Sequence, residues 1–150
     1  MHHGADPPEL GVGLLGTAFM GRAHARALVL LETLEDRPAA LPRRAAICGR
    51  DGDRAEAMRR RFGFERAVSD WRALVEAPDV AAVDDAGPNQ LHAEPAIAAA
   101  RAGKHVLCEK PLGRTAAEAR EMLAAVQEAG VVHICAFNYR FFPRSGWPGR

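Results

Sequence analysis

A carboxylate, an ammonium group and a rigid turn residue follow one another in the segment Glu109-Lys110-Pro111. A strand-like run at 105–107 precedes them, and the end of a buried strand is a costly place for charges. A lysine there can hydrogen-bond a substrate hydroxyl and help its proton leave as a hydride departs. Glu109 can orient that lysine or hold a ribose hydroxyl. The alternative interpretation is a structural ion pair between the two side chains.

A glycine-rich turn stands between the first strand-like run and the first helical pattern, with the sequence Gly16-Thr17-Ala18-Phe19-Met20-Gly21. The dinucleotide fingerprint G-x-G-x-x-G needs glycines for a tight turn, for close approach of a pyrophosphate and for helix packing. Ala18 replaces the middle glycine, and its methyl group is small enough for a phosphate to reach the helix N-terminus. We therefore expect residues 16–20 to contact a dinucleotide. A tight turn without a ligand is the alternative.

The end of the second strand normally supplies an acidic residue that holds the ribose hydroxyls of NAD. Here the sequence reads Cys48-Gly49-Arg50-Asp51. Arg50 can pair with the 2′-phosphate of NADP or lie over the adenine ring, whereas Asp51 can accept from the ribose of NAD. Ordinary loop charges remain a third interpretation. The choice between NAD and NADP stays open at this point.

A third candidate segment joins the fourth strand to its helix and runs from Asp84 to His92. Ligands of doubly wound sheets collect at this carboxyl edge. Pro88 stiffens the turn, and Asn89 can hydrogen-bond a cofactor or cap a helix. His92 can contact the cofactor or be an ordinary residue at the start of a helix.

The elements that position these residues alternate as strand and helix along the chain, which predicts an α/β fold with a doubly wound, mostly parallel sheet. The expected strands are 10–15, 44–48, 67–68, 80–86, 105–109 and 131–137. The expected helices are 20–34, 53–62, 70–75, 92–102 and 115–129. Prolines at 38 and 42 place a loop after the first helix.

Helix ends carry recognisable signals. Asp53 with Glu56, and Thr115 with Glu118, predict capping boxes, and glycines at 63 and 130 predict C-terminal caps. Helical spacing places apolar residues on one face of each of two helices. These residues are Ala23, Ala27, Leu30, Leu31 and Leu34 in the first, and Ala119, Met122, Leu123 and Val126 in the last.

Composition limits the function classes. The chain has 150 residues, 48% hydrophobic and 26% charged, with a net charge of +1, so we expect neither nucleic-acid nor membrane binding. Its three cysteines, Cys48, Cys108 and Cys135, are too few and too separated for a disulfide framework or zinc ribbon. We expect buried free thiols, no metal and a cytoplasmic location. Residues 1–8 lack the apolar core of a signal peptide.

The same motifs, in this order, resemble the N-terminal domain of the Gfo/Idh/MocA oxidoreductases, the glucose–fructose oxidoreductase and inositol dehydrogenase group. The resemblance covers about residues 10–143 and rests on the segments 16–24, 88–92, 102–112 and 137–141. It implies a Rossmann fold that binds NAD or NADP, and oxidation of a sugar, cyclitol or polyol. It also implies that Lys110 contacts both nicotinamide and substrate, and that full-length members form homo-oligomers.

The sequence departs from the family pattern at Ala18 and at Gly87, where a threonine is usual. We expect a flexible N-terminus over 1–9, a cofactor domain over 10–143 and an irregular tail over 144–150. The family's second domain is not expected within the chain, as in a truncated or frame-shifted product. The chain alone is therefore expected to bind the cofactor without turnover. A non-catalytic dinucleotide-binding module and a methyltransferase with a similar sheet are the competing hypotheses.

Overall fold

A computed structural model describes residues 7–34 and 39–141. It contains one six-stranded sheet in the order β3-β2-β1-β4-β5-β6, and each neighbouring pair of strands is parallel. The strands are β1 Glu9–Leu15, β2 Leu41–Cys48, β3 Arg66–Val68, β4 Ala82–Asp85, β5 His105–Cys108 and β6 His133–Cys135. The order reverses between β1 and β4, and a crevice for ligands opens at such a point. The predicted doubly wound α/β fold is confirmed.

Helices cover both faces of the sheet. They are α1 Phe19–Leu31, α2 Gly52–Phe62, α3 Trp71–Glu76, α4 Ala93–Arg101 and α5 Ala116–Ala129. Two short 3₁₀ segments, Asn89–Leu91 and Asn138–Phe141, lie at the carboxyl side of the sheet. One core joins α1 and α2 to the sheet through Leu28, Met58 and Phe62. A second joins α3, α4 and α5 to the sheet through Leu74, Ala99 and Met122.

Several strand boundaries differ from the predicted ones. β2 begins at Leu41 rather than at residue 44, so Pro42 lies in the strand and not in a loop. Pro42 pairs in register with Leu10 of β1, whereas β3 joins β2 only from Ala46 onwards. A proline is tolerated there because that part of β2 has a neighbour on one side. β4 and β6 are shorter than predicted.

The apolar face of α1 expected from helical spacing is only partly the buried one, since Leu31 packs partly against the core. The buried positions are Gly21, Ala25 and Leu28, while Leu30 is 61% exposed. The small residues Gly21 and Ala25 allow α1 to pack close to the sheet. Helical spacing of leucines does not identify such a face, because its buried residues are small. On α5, Met122 and Val126 are buried as predicted, but Leu123 is exposed.

Helix caps are partly as predicted. Gly63 and Gly130 are left-handed C-caps, as expected. The N-cap of α2 is Asp51 rather than Asp53, because the Asp51 carboxylate accepts from the Arg54 amide. Thr115 caps α5 by accepting from the Glu118 amide. The Glu118 carboxylate bonds the amide of Arg114 instead of completing the predicted box.

The thiols of Cys48 and Cys108 are buried, as predicted, and Cys135 is half-buried. Burial raises the pKa of the Cys48 thiol to about 12, so this group stays protonated and unreactive. Within the described ranges, none of the helices has the length and apolar character needed to cross a bilayer. The predicted tail at 144–150, residues 1–6 and Pro38 lie outside the described residues.

Candidate functional site

The turn between β1 and α1 has the geometry of a ligand cradle. Gly16 has a φ of +116°, and a Cβ atom there would lie 2.4 Å from the carbonyl oxygen of Ala86. A Cβ atom at Gly21 would lie 2.1 Å from the carbonyl oxygen of Gly16. Only glycine fits both places, so the first and third fingerprint positions are required by backbone contact.

The N-terminus of α1 is open to an anion. The helix follows Ala18, whose methyl side chain cannot accept a hydrogen bond, and its first turn contains no acidic residue. Its first amide groups and its dipole therefore remain available for phosphate. Ala18 and Phe19 are exposed and Met20 is partly exposed, whereas Thr17 is buried. Of the predicted contact residues, Thr17 is thus the one turned inward.

Thr17 connects the cradle to the end of β2. A Cβ atom at Gly49 would lie 2.5 Å from Thr17 Cγ2, so Gly49 gives the threonine its space. Arg50 and Asp51 follow at the same edge and are both exposed. Asp51 Oδ1 accepts from the Arg54 amide at 3.0 Å, which gives this side chain a helix-capping role that sequence reasoning assigned to Asp53.

His24 of α1 joins the ends of β4 and β5, and sequence reasoning did not select it. Its Nδ1 lies 2.8 Å from Asp84 Oδ1, and its Nε2 lies 3.1 Å from Glu109 Oε1. The hydrogen bond to Asp84, together with the charges of Asp84 and Glu109, raises the pKa of His24 to about 9 against an opposing effect of burial. At neutral pH the ring is therefore an imidazolium that donates to both carboxylates.

Glu109 links this cluster to Lys110. Its second carboxylate oxygen, Oε2, accepts from the Lys110 backbone amide at 3.0 Å. Glu109 is only 6% exposed, whereas Lys110 is exposed at the carboxyl edge. The hydrogen bonds from His24 to Glu109 and from Glu109 to Lys110 thus fix the Lys110 backbone. The exposed side chain of Lys110 can then reach a ligand with its ammonium group. The Lys110–Pro111 peptide bond is cis.

A second Asp–His cluster lies on the opposite face of β4, because adjacent strand residues point to opposite sides. Asp85 Oδ1 accepts from the Gly87 amide at 3.0 Å, and burial raises the pKa of Asp85 to about 6. His92 is fully buried, with Nδ1 2.9 Å from the Pro111 oxygen and Nε2 3.1 Å from the Gly87 oxygen. Donor atoms of Asp85, His92 and Cys108 all lie within 4.8 Å of one another.

The predicted roles of Asn89 and His92 change in the light of these contacts. Pro88 and Asn89 are exposed at the start of the 3₁₀ segment, where both can face a ligand. The residue at the N-cap of α4 is His92, so Asn89 does not cap that helix. Because the ring of His92 has no exposed surface, it holds neighbouring backbone rather than presenting a nitrogen to the crevice.

Sequence reasoning gave no role to three charged or polar residues of this site: His24, and Asp84 and Asp85 at the start of the third candidate segment. Two adjacent aspartates at the end of a strand buried on both faces are a signal that could have been used. His24 also stands beside Ala25, three residues after Gly21 and four before Leu28, on the inner side of α1. A polar residue at such a position normally has a buried partner.

Known proteins resemble the chain over most of its length. A family model described as an oxidoreductase family with an NAD-binding Rossmann fold, Gfo/Idh/MocA, matches residues 10–137. Levoglucosan dehydrogenase from Pseudarthrobacter phenanthrenivorans is 49% identical over 135 residues, which are 90% of this chain and 35% of that protein. Myo-inositol 2-dehydrogenase from Thermotoga maritima is 35% identical over 130 residues, covering 87% and 36% of the two chains.

The same agreement holds in three dimensions. A levoglucosan dehydrogenase structure in complex with NADH and L-sorbose superposes with a TM-score of 0.85 at 49% identity, over 89% of this chain and 36% of that one. The chain therefore spans about a third of the length of the relatives it matches.

Proposed function

This chain belongs to the Gfo/Idh/MocA oxidoreductase family, and we propose that it is the NAD(H)-binding unit of a dehydrogenase acting on a sugar or related polyol. The unit is residues 10–143, the range expected from the sequence. The observation that carries the proposal is the glycine cradle at the N-terminus of α1, whose two glycines are required by backbone contact. Bound at this edge, the nicotinamide cofactor supplies the hydride acceptor for oxidation of a hydroxyl-bearing carbon.

The cradle fits a dinucleotide pyrophosphate. The turn at Gly16 leads into α1 through Ala18, and no side-chain cap occupies the amides of the first turn of α1. Arg50 and Asp51 are exposed at the end of β2, where the adenosine ribose of a dinucleotide lies in this fold. Phe19, Pro88 and Asn89 are exposed along the crevice and supply further contact surface.

NAD(H) is the proposed cofactor rather than NADP(H). The support is the position of Asp51, whose Oδ1 caps α2 and whose Oδ2 lies 3.6 Å from the exposed Arg54 guanidinium. This carboxylate is itself exposed, so it can accept from a ribose hydroxyl. A relative at 49% identity is known in complex with NADH. Arg50 lies beside Asp51 and would lie over the adenine rather than hold a phosphate.

Lys110 is the proposed catalytic residue. Its backbone is held by Glu109, its side chain is exposed at the edge where β4 and β5 end, and an ammonium group there can bond a substrate hydroxyl. The lysine orients the hydroxyl and favours departure of its proton as the hydride leaves the same carbon. The substrate class is inferred from the relatives, which include a levoglucosan and a myo-inositol dehydrogenase.

A non-catalytic NAD(H)-binding module is the second candidate, because the glycine cradle, the observation that carries the proposal, calls for nucleotide binding and not for turnover. The deciding experiment follows NADH formation by the purified chain with NAD and levoglucosan, myo-inositol or L-sorbose. Turnover that disappears in Lys110→Ala establishes the dehydrogenase. NADH binding without turnover supports the cofactor-binding part of the proposal alone, and absence of both contradicts the proposed function.

A further inference from the structure

The contacts of His92 indicate its protonation. Both ring nitrogens face backbone carbonyl oxygens, at 2.9 Å from Pro111 and 3.1 Å from Gly87. A carbonyl oxygen can only accept, so each nitrogen must carry a proton to make its bond. A neutral imidazole has one N–H, so both contacts are hydrogen bonds only if the ring carries a second proton.

A buried cation needs an anion beside it, and Asp85 is in the right place. It is 1% exposed, and a carboxylate oxygen lies within 4.8 Å of a His92 nitrogen. Its Oδ2 atom is buried without a hydrogen-bond partner among the described residues. The neighbouring Cys108 thiol stays protonated because burial raises its pKa, and Asp84 is bonded to His24 on the other face of β4.

We propose that Asp85 and His92 form a buried ion pair that positions the two turns beside the nicotinamide site. The first turn contains Gly87, whose amide bonds Asp85 and whose carbonyl bonds His92. The second turn contains Pro111, whose carbonyl bonds the other nitrogen of His92 directly after Lys110. His92 is thus a positioning residue that keeps Lys110 at a fixed distance from the Pro88–Asn89 edge. The position of the nicotinamide beside these two turns rests on the proposed function.

A metal site is the competing explanation of the same cluster, since carboxylate, imidazole and thiolate are all zinc ligands. The orientation of His92 argues against it. Each nitrogen already has an oxygen at hydrogen-bond distance, so neither lone pair is left to point at an ion.

The first test is ¹H–¹⁵N NMR of the histidine rings in the cofactor-free chain at pH 7, with His92 assigned by the loss of its signals in His92→Gln. The ion pair predicts protons on both nitrogens of His92. A single protonated nitrogen contradicts it. Stoichiometric zinc uptake that removes the ring protons, and that fails in Cys108→Ser, overturns it in favour of a metal site. This test does not depend on cofactor binding.

The second test uses Asp85→Asn, with Asp79→Asn as the matched control. Asp79 also loses an ion pair, to Arg66 at 2.7 Å, but at the opposite end of the sheet. We expect Asp85→Asn to leave His92 with one ring proton, to shift the Lys110 amide resonance and to weaken NADH binding by about tenfold, the effect of one charge-assisted hydrogen bond. The control changes none of these.

Two results overturn the proposal: a doubly protonated His92 in Asp85→Asn, or an unchanged Lys110 resonance in that variant. If the wild type binds no NADH, the proposed function fails while the ring protonation and the Lys110 resonance still decide the ion pair. Should Asp85→Asn fail to fold, the wild-type ring spectrum alone decides it.

Discussion

His24 shows how one side chain can stabilise the site and set its dependence on pH. Its ring lies between Asp84 and Glu109, two carboxylates that are each less than a tenth exposed. Without the imidazolium, two buried negative charges would face each other near Lys110. The ring therefore offsets the cost of placing carboxylates at the end of the sheet.

This role predicts a loss of stability in alkali. The pKa of His24 is about 9 in the folded chain and 6.5 when unperturbed. Because the pKa of His24 is higher in the folded chain, its protonation stabilises the fold. This stabilisation is complete below pH 6.5 and disappears as the pH rises through 9. We expect the free energy of unfolding in urea to fall by roughly 3 kcal/mol between these values.

The control for this experiment is His24→Gln, which keeps hydrogen-bonding capacity without a titrating charge. The buried cysteines begin to contribute only near pH 9, and the difference between wild type and variant removes their effect. If the free energy of unfolding falls with pH equally in wild type and variant between pH 6.5 and 9, His24 is not the group responsible.

Gly16 allows a second prediction at this scale. An alanine there would place its methyl group 2.4 Å from a backbone oxygen at a φ of +116°. Gly16→Ala should therefore lower NADH affinity at least tenfold, because the turn must move away from the pyrophosphate. Gly52→Ala is the matched control, since a Cβ atom at Gly52 meets nothing within 4 Å. Tight NADH binding by folded Gly16→Ala would refute the cradle.

Arg50 tests the choice of cofactor. If Arg50 lies over the adenine, Arg50→Glu should weaken the binding of NADH and of NADPH to a similar degree in parallel calorimetric titrations. If it holds a 2′-phosphate, the loss should be much larger for NADPH. A selective loss of NADPH binding would contradict the proposed preference for NAD(H).

At the scale of elements, the end of β2 serves both a helix and a ligand. Asp51 caps α2, so its replacement lowers the stability of the fold independently of any effect on the cofactor. Asp51→Ala should lower the free energy of unfolding by about 1 kcal/mol, whereas Asp51→Asn should retain most of the cap. Chemical unfolding measures both.

The same pair of variants separates the two roles of Asp51. A carboxylate that accepts from the ribose is lost in both, so both should bind NADH more weakly. If Asp51→Asn binds NADH as the wild type does, Asp51 is a cap alone and the ribose has another partner.

The sequence predicts the elements better than their inner faces. Alternation of strands and helices, glycine caps and the fingerprint turn are local signals, and they were confirmed. The inner face of α1 was missed because Gly21 and Ala25 are small residues in close contact with the sheet. The His24 cluster was missed because it joins residues 60 and 85 positions apart, a separation that only the sheet order brings together.

At the scale of the whole molecule, the carboxyl edge concentrates the candidate residues. The strand ends carrying Gly16, Arg50, Asp84 and Glu109 lie side by side because all six strands are parallel. Charge pairs at the opposite edge, such as Arg66 with Asp79, hold the sheet without facing the crevice. The fold thus separates groups that stabilise it from groups that can bind.

The most direct test of the central claim is a calorimetric titration of the purified 150-residue chain with NADH and, separately, with NADPH. The proposed cofactor unit predicts one saturable site with higher affinity for NADH. A folded chain that binds neither nucleotide would contradict the claim that this crevice is a dinucleotide site.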